Sequence, residues 1–207
     1  MPPEGLRERK KRRTREAIAE AARALFVAHG FEAVRVADIA RAADVSEATV
    51  FNYFPTKEDL VFRGLQSFED ALVAAVADRP AGTSVLAMFE KFVLGPPFGL
   101  LDGTAADLHA LAASARMIAA SPALLARERM VYDQTVERLA AAIATGDDDL
   151  NPWVAANALM GVHRALVGYV RREVLSGTPG PMLLRQVRVR GRRAFALLEH
   201  GLAHDPP

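Results

Sequence analysis

Seven basic side chains crowd the first fifteen residues (Arg7, Arg9, Lys10, Lys11, Arg12, Arg13 and Arg15), against only Glu4 and Glu8. Such a cluster suits a polyanion, because each phosphate it neutralises releases condensed counterions. A solvated, solubilising terminus has the same composition, and both readings stand. Residues 1–15 carry a formal +5 and the remainder −4, hidden inside a net charge of +1. Catalytic chemistry finds no comparable foothold. Cysteine is absent, which removes a disulfide framework, a thiolate metal site and a cysteine nucleophile. No G-x-S-x-G, H-E-x-x-H, Walker or dinucleotide fingerprint occurs. His109 and His163 lack the spacing of a metal pair, and His163 has no evident acid or nucleophile partner in sequence. The expectation is a protein that is not an enzyme, with no cofactor and no bound metal.

The elements that must position the basic cluster are helical. The 207 residues are 51% hydrophobic and 25% charged, too apolar for disorder and suited to one domain or a small module fused to a larger one. No apolar run approaches the roughly 20 residues that span a bilayer. The basic N-terminus lacks the apolar stretch of a secretory signal. A soluble, cytoplasmic protein without a membrane partner is expected.

Between Thr14 and His29, Ala17, Ile18, Ala21, Ala22, Leu25 and Phe26 recur at helical spacing, and Gly30 follows as a C-terminal stop. A short helix over about 36–43 places Val36, Ile39, Ala40 and Ala43 on one face. A third, 47–53, is capped by Ser46, and only Ala43-Asp44-Val45 separates the two. Two short helices joined so tightly are the plan of a helix-turn-helix. Pro55 stops the third helix, and Thr56 with Asp59 forms a capping box for a fourth, read from Lys57 to about Ala77. Five more follow: about 84–94, ended by Gly95-Pro96-Pro97; 104–120, opened by Thr104 and Asp107; 122 to near Gly146, before Asp147-Asp148-Asp149; 151–175, opened by Asn151-Pro152; and 182–203. No segment alternates like a strand. The reading is all-α: a basic flexible arm over 1–13, a helix-turn-helix domain over 14–55, and a six-helix domain over 56–207.

The stretch Thr14 to Leu60 resembles the DNA-binding domain of the TetR/AcrR family of bacterial transcriptional regulators. The residues that carry the likeness are Ala24-Leu25-Phe26, Gly30-Phe31, Asp38-Ile39-Ala40, Val45-Ser46, Thr49-Val50-Phe51-Asn52-Tyr53-Phe54 and Lys57-Glu58-Asp59-Leu60. The resemblance implies three N-terminal helices for DNA and about six more for ligand binding and dimerisation. Three positions depart from the family's pattern. Arg35 stands where Ser or Thr often opens the second helix; it cannot cap but can reach a phosphate. Phe51 replaces a frequent Tyr and loses its hydroxyl. Asp44 replaces the usual turn glycine, and Asp tolerates the left-handed conformation better than most residues.

A recognition helix presents short polar side chains from its N-terminal end to base edges in the major groove. Ser46, Glu47, Ala48, Thr49, Asn52 and Tyr53 fill that segment, with Val50, Phe51 and Phe54 expected to point inward. Arg12, Arg13, Arg35 and Lys57 are expected on phosphates, and the resemblance puts Thr49, Tyr53 and Lys57 against DNA. A single recognition helix specifies weakly, so a symmetric homodimer on a double-stranded DNA operator is expected. Its seam is read on the last two helices at Leu159, Val162, Leu166, Val187, Gly191, Ala194 and Leu198, with Leu184 and Leu202 in the same pattern. The alternative is that these faces complete each subunit's own core. Arg185, Arg188 and Arg192 share another face, read as solvated or paired with acids.

A pocket for an apolar small-molecule effector is expected among Phe62, Leu65, Phe89, Phe92, His109, Met117, Trp153 and His163, aromatic and Met side chains with two polar groups among them. Plain core packing would use the same residue types. The leading expectation is thus a repressor released from a palindromic operator by that effector. The alternative is a helical, dimeric architectural or adaptor protein on DNA without a small ligand.

Overall fold

A computed structural model describes residues 5–95, 105–144, 146 and 150–201. Among them lie nine helices and no strand: α1 (Leu6–His29), α2 (Val36–Ala42), α3 (Glu47–Tyr53), α4 (Asp59–Ala77), α5 (Val85–Leu94), α6 (Ala105–Ala120), α7 (Pro122–Ile143), α8 (Asn151–Leu175) and α9 (Gly180–His200). The Pro96-Pro97 stop, Thr104, the triple aspartate 147–149, Leu202 and Ala203 fall outside the described residues, as does the side chain of Asp107.

The basic stretch is not an arm where it is described. From Leu6 onward it is the first two turns of α1, which runs unbroken to His29. Lys and Arg are good helix formers, no glycine or proline interrupts the segment, and Arg12 reaches Glu16 one turn on at 3.8 Å. Composition alone reads a charged run as solvated coil; propensity makes it helix.

The chain divides into two compact units. The first holds the residues up to Leu65 together with Met117–Glu128; the second holds Gln66–Arg116 and the residues from Arg129 on. A division at residue 55 or 56 misses both the early turns of α4 and the α6–α7 corner. Those segments belong to the first unit for stated reasons. Leu60, Phe62, Ile118 and Leu124 are buried in its core. The guanidinium of Arg127 donates to the Asp59 carboxylate at 2.6 and 2.8 Å, and the buried Ser121 hydroxyl donates to Glu32 at 2.6 Å.

That core is built from α1 outward. Ile18, Ala22 and Phe26 recur on one face of α1 and meet Phe31, Val34, Ile39, Ala40, Val50 and Phe54. Phe26 and Phe31 lie 5.2 Å apart in a tilted pair. The second unit gathers Leu72 and Val76 of α4, Phe89 and Val93 of α5, Tyr132, Val136 and Leu139 of α7, Leu159, Met160 and Leu166 of α8, and Phe195 of α9. A glycine makes the α5–α9 approach possible: a Cβ on Gly191 would stand 2.5 Å from a Leu94 methyl.

Candidate nucleic-acid interface and the remaining site residues

The turn between α2 and α3 sets the geometry of the first unit's exposed face. Asp44 adopts φ 54°, the left-handed conformation expected of it, and the next amide, Val45 N–H, reaches back to the Ala40 carbonyl at 3.0 Å. At the start of α2 the Asp38 carboxylate accepts from the Arg35 backbone N–H at 3.2 Å, while the Arg35 side chain makes no cap bond and is exposed. Helix α3 is capped as its sequence predicts. The Ser46 Oγ accepts from Thr49 N–H at 3.1 Å and pairs with the Thr49 hydroxyl at 2.8 Å.

One face of α3 is locked and the other is open. Val50 and Phe54, four residues apart, are 1% and 2% exposed and sit in the core. Ser46, Glu47, Ala48 and Asn52 are exposed; Thr49 and Tyr53 are half-buried, and Tyr53 packs against the core. Phe51 departs from its expected inward position and is 46% exposed. Phe51 stands about 100° round the helix from Val50 and beside Glu47 and Ala48, whereas Phe54 lies past the helix end in extended backbone (φ −138°, ψ 97°) and turns inward. The open face therefore carries an aromatic ring beside its polar groups.

Lys57, expected on a phosphate, spends donors inside the unit. Its ammonium lies 4.1 Å from the Phe31 ring centroid and donates to the Phe31 and Val34 carbonyls at 3.0 and 3.2 Å. Two of its three donors thus tie the end of α3 to the α1–α2 connection. The capping box behind it forms, with Thr56 N–H to Asp59 at 3.0 Å and Asp59 N–H to the Thr56 hydroxyl at 3.3 Å, but α4 opens at Asp59. Arg12 and Arg13 are exposed on α1.

The expected effector residues are divided between the two units. Phe62, Leu65 and Met117 pack in the first unit's core, because the head claims the early turns of α4 and the end of α6. Phe89, Phe92 and His163 lie in the second unit. His109 is exposed, and Trp153 is 45% exposed because Pro152 and Ala156 occupy the inner side of α8's first turns. What the second unit does assemble is an aromatic cluster around His163. Phe68 stacks on its ring at 5.3 Å and 13°, Tyr132 meets it edge-on at 5.9 Å, and Phe92 lies 5.3 Å beyond Phe68. Burial pushes the His163 ring down to about 4, so it is neutral at pH 7. Tyr132 escaped the sequence reading because apolar periodicity does not distinguish a ring beside a buried imidazole from any other core ring.

The expected seam residues are also redistributed. Leu159, Leu166 and Gly191 are buried within the second unit, and Val162, Val187, Ala194 and Leu198 are half-buried. Core and seam share the same spacing on a helix that is apolar nearly all round, so periodicity cannot choose between them. The solvent-facing stripe of α8 is instead Val154, Ala158, Gly161, Ala165 and Gly168, exposed or half-buried. A Cβ on Gly161 would meet nothing within 4 Å. On α9, Arg185, Arg188, Arg192 and Arg193 are exposed, while Arg190 stacks on Tyr169 at 4.7 Å. No group of three or more potential metal ligands lies among the described residues, and no single helix among them is long and apolar enough to cross a membrane.

Comparison with known proteins agrees with this architecture. Residues 18–63 match the family described as bacterial regulatory proteins, tetR family. The HTH-type transcriptional regulator TcmR of Streptomyces glaucescens is 36% identical over 178 residues, covering 82% of this chain and 76% of that protein. Among solved structures, the fatty acid degradation regulator FadR of Bacillus halodurans superposes with a TM-score of 0.53 at 20% identity, covering 90% of this chain and 98% of that one. A TetR-family regulator from Mesorhizobium loti gives 0.50 at 19% identity, over 89% and 96% of the two chains. These likenesses to solved structures speak for the fold, and the TcmR relationship speaks for kinship. With a helix-turn-helix head built on Asp44 and Ser46, this chain belongs to the TetR family of bacterial transcriptional regulators.

Proposed function

We propose that this regulator is a repressor, held on a palindromic DNA operator as a homodimer and released when a small, largely apolar effector enters the second unit. The observation that carries the reading is the two-sidedness of α3. Val50 and Phe54 anchor it, while Ser46, Glu47, Ala48, Phe51 and Asn52 face outward on a helix too short to bury them. In the major groove, Asn52 offers donor and acceptor to adenine, Glu47 accepts from cytosine N4, and Phe51 suits a thymine methyl. Arg35 and the basic turns of α1 supply phosphate contacts that fix register without reading sequence. Two copies joined through the α8 stripe Val154, Ala158, Gly161, Ala165 and Gly168 would present two α3 helices to half-sites about one helical turn apart or a multiple of it. An effector releases such a dimer only by binding its DNA-incompetent state more tightly.

Selection of bound duplexes from a random DNA pool tests this reading. The expected result is an enriched inverted repeat whose binding weakens steeply with salt. Enrichment of no duplex, or of sequences without dyad symmetry, contradicts it.

A further inference from the structure

The second unit buries an imidazole that nothing among its described residues satisfies. His163 is 0% exposed, and neither Nδ1 nor Nε2 has a hydrogen-bond partner among the described residues. Buried polar groups in folded proteins are almost always paired, because burying one without a partner forfeits its hydration. A leucine or methionine would pack between Phe68 and Tyr132 without that cost. The imidazole is held neutral, so it offers one N–H donor and one lone pair, both directed in the plane of its ring.

Resting on the effector-responsive reading above, we infer that His163 is the polar anchor of the effector site, and that the effector is an uncharged, flat, conjugated ring system carrying a hydroxyl or N–H group. Flatness follows from the walls. A partner bonded in the imidazole plane continues a stack that Phe68 already begins at 13° to that plane, with Tyr132 set edge-on to it. Neutrality follows from burial, since the surroundings that penalise an imidazolium penalise a carboxylate or ammonium on the ligand equally. The hydroxyl or N–H follows from the unpaired lone pair, which an apolar ring cannot satisfy.

Three matched probe sets test this on the full chain: 2-naphthol and 1-hydroxypyrene, their parent hydrocarbons, and the corresponding carboxylates. The readouts are dissociation constants and the ring-nitrogen resonances of ¹⁵N-labelled histidine. The expected result is that at least one phenol binds tenfold or more tightly than its hydrocarbon and its carboxylate, and shifts the His163 nitrogens. His163→Phe, and separately His163→Leu in case the larger ring disturbs packing, should erase that tenfold while leaving the hydrocarbon's affinity unchanged. Equal affinities across a set, no binding by any probe, or a phenol preference that survives both substitutions overturns the inference. Duplex release is read in parallel. Release by some other compound that His163→Leu does not affect sinks the anchor and leaves the repressor reading intact. Phenol binding at His163 with the operator still held does the reverse.

Discussion

Both units pair buried polar groups, as Thr135 does with Glu69 in the second, but the second also buries an imidazole that its described residues leave unanswered. In the first, Asp59 is clasped by Arg127 and Thr56, Ser121 by Glu32, and the Lys57 ammonium by two carbonyls and a ring. In the second, His163 sits equally deep with both nitrogens unanswered by the described residues. A head that must hold a seven-residue helix at a fixed angle gains from a network in which every member is paired. If the body responds to a small molecule as proposed, it needs a place where pairing is incomplete until the molecule arrives. On the proposed function, the contrast separates a part that keeps one geometry from a part that an effector completes.

The largest effect should come from cutting the head's network. Arg127→Ala leaves the Asp59 carboxylate, 5% exposed, without its guanidinium, and removing one partner of a buried pair typically costs about 3–5 kcal/mol. Urea unfolding should show that loss, and a change below about 1 kcal/mol would show that the pair is not holding the head together.

His163 should give the next effect, as a pH dependence. Its ring titrates near 4 when folded against 6.5 as the ordinary value. The unfolded chain therefore binds more protons between those pH values, and folding stability is complete above about pH 6.5 and falls as pH drops toward 4. The full swing is of order 3 kcal/mol, and it should be missing from His163→Phe when urea midpoints are compared across that window. Parallel curves for wild type and variant would place a charge-compensating partner beside the imidazole.

Asp44→Val tests the turn. A β-branched residue at φ 54° should destabilise by about 1–2 kcal/mol, whereas Asp44→Gly should be nearly neutral. Equal melting temperatures for the two would mean that the α2–α3 connection does not depend on the left-handed residue. Gly161→Trp should move subunit stability least, by under about 0.5 kcal/mol, because open space surrounds that position. It should nonetheless turn a dimer into a monomer in sedimentation. A dimer that survives it moves the seam off the α8 stripe.

Much of the head was legible because its signals are local. Ser46 caps α3, Thr56 and Asp59 cap one another, Asp44 takes the glycine position, and Gly30 ends α1 at φ 80°, all within four residues of the element they define. What escaped was non-local or two-valued. Arg127 and Asp59 are 68 residues apart in sequence, so nothing nearby announced that the α6–α7 corner belongs to the head. Phe51 and Phe54 are the same residue type three residues apart, and they part because Phe54 has left the helix for extended backbone. The basic stretch reads as coil by charge and as helix by propensity. In the body, Leu159 and Leu166 fit a seam and a core equally well by spacing, and the aromatic cluster around His163 draws on α4, α7 and α8, which no motif links.

The central claim is that the open face of α3 reads DNA while its buried face only holds it in place. The direct measurement is duplex affinity, against salt concentration, for the chain carrying Phe51→Ala and Asn52→Ala together, with unfolding followed alongside. Both side chains are exposed, so stability should change by less than about 0.5 kcal/mol. Affinity for the selected inverted repeat should fall by tenfold or more, leaving residual, salt-sensitive binding that no longer prefers it over random duplex. Unchanged affinity and sequence preference in a stably folded double variant would contradict the account.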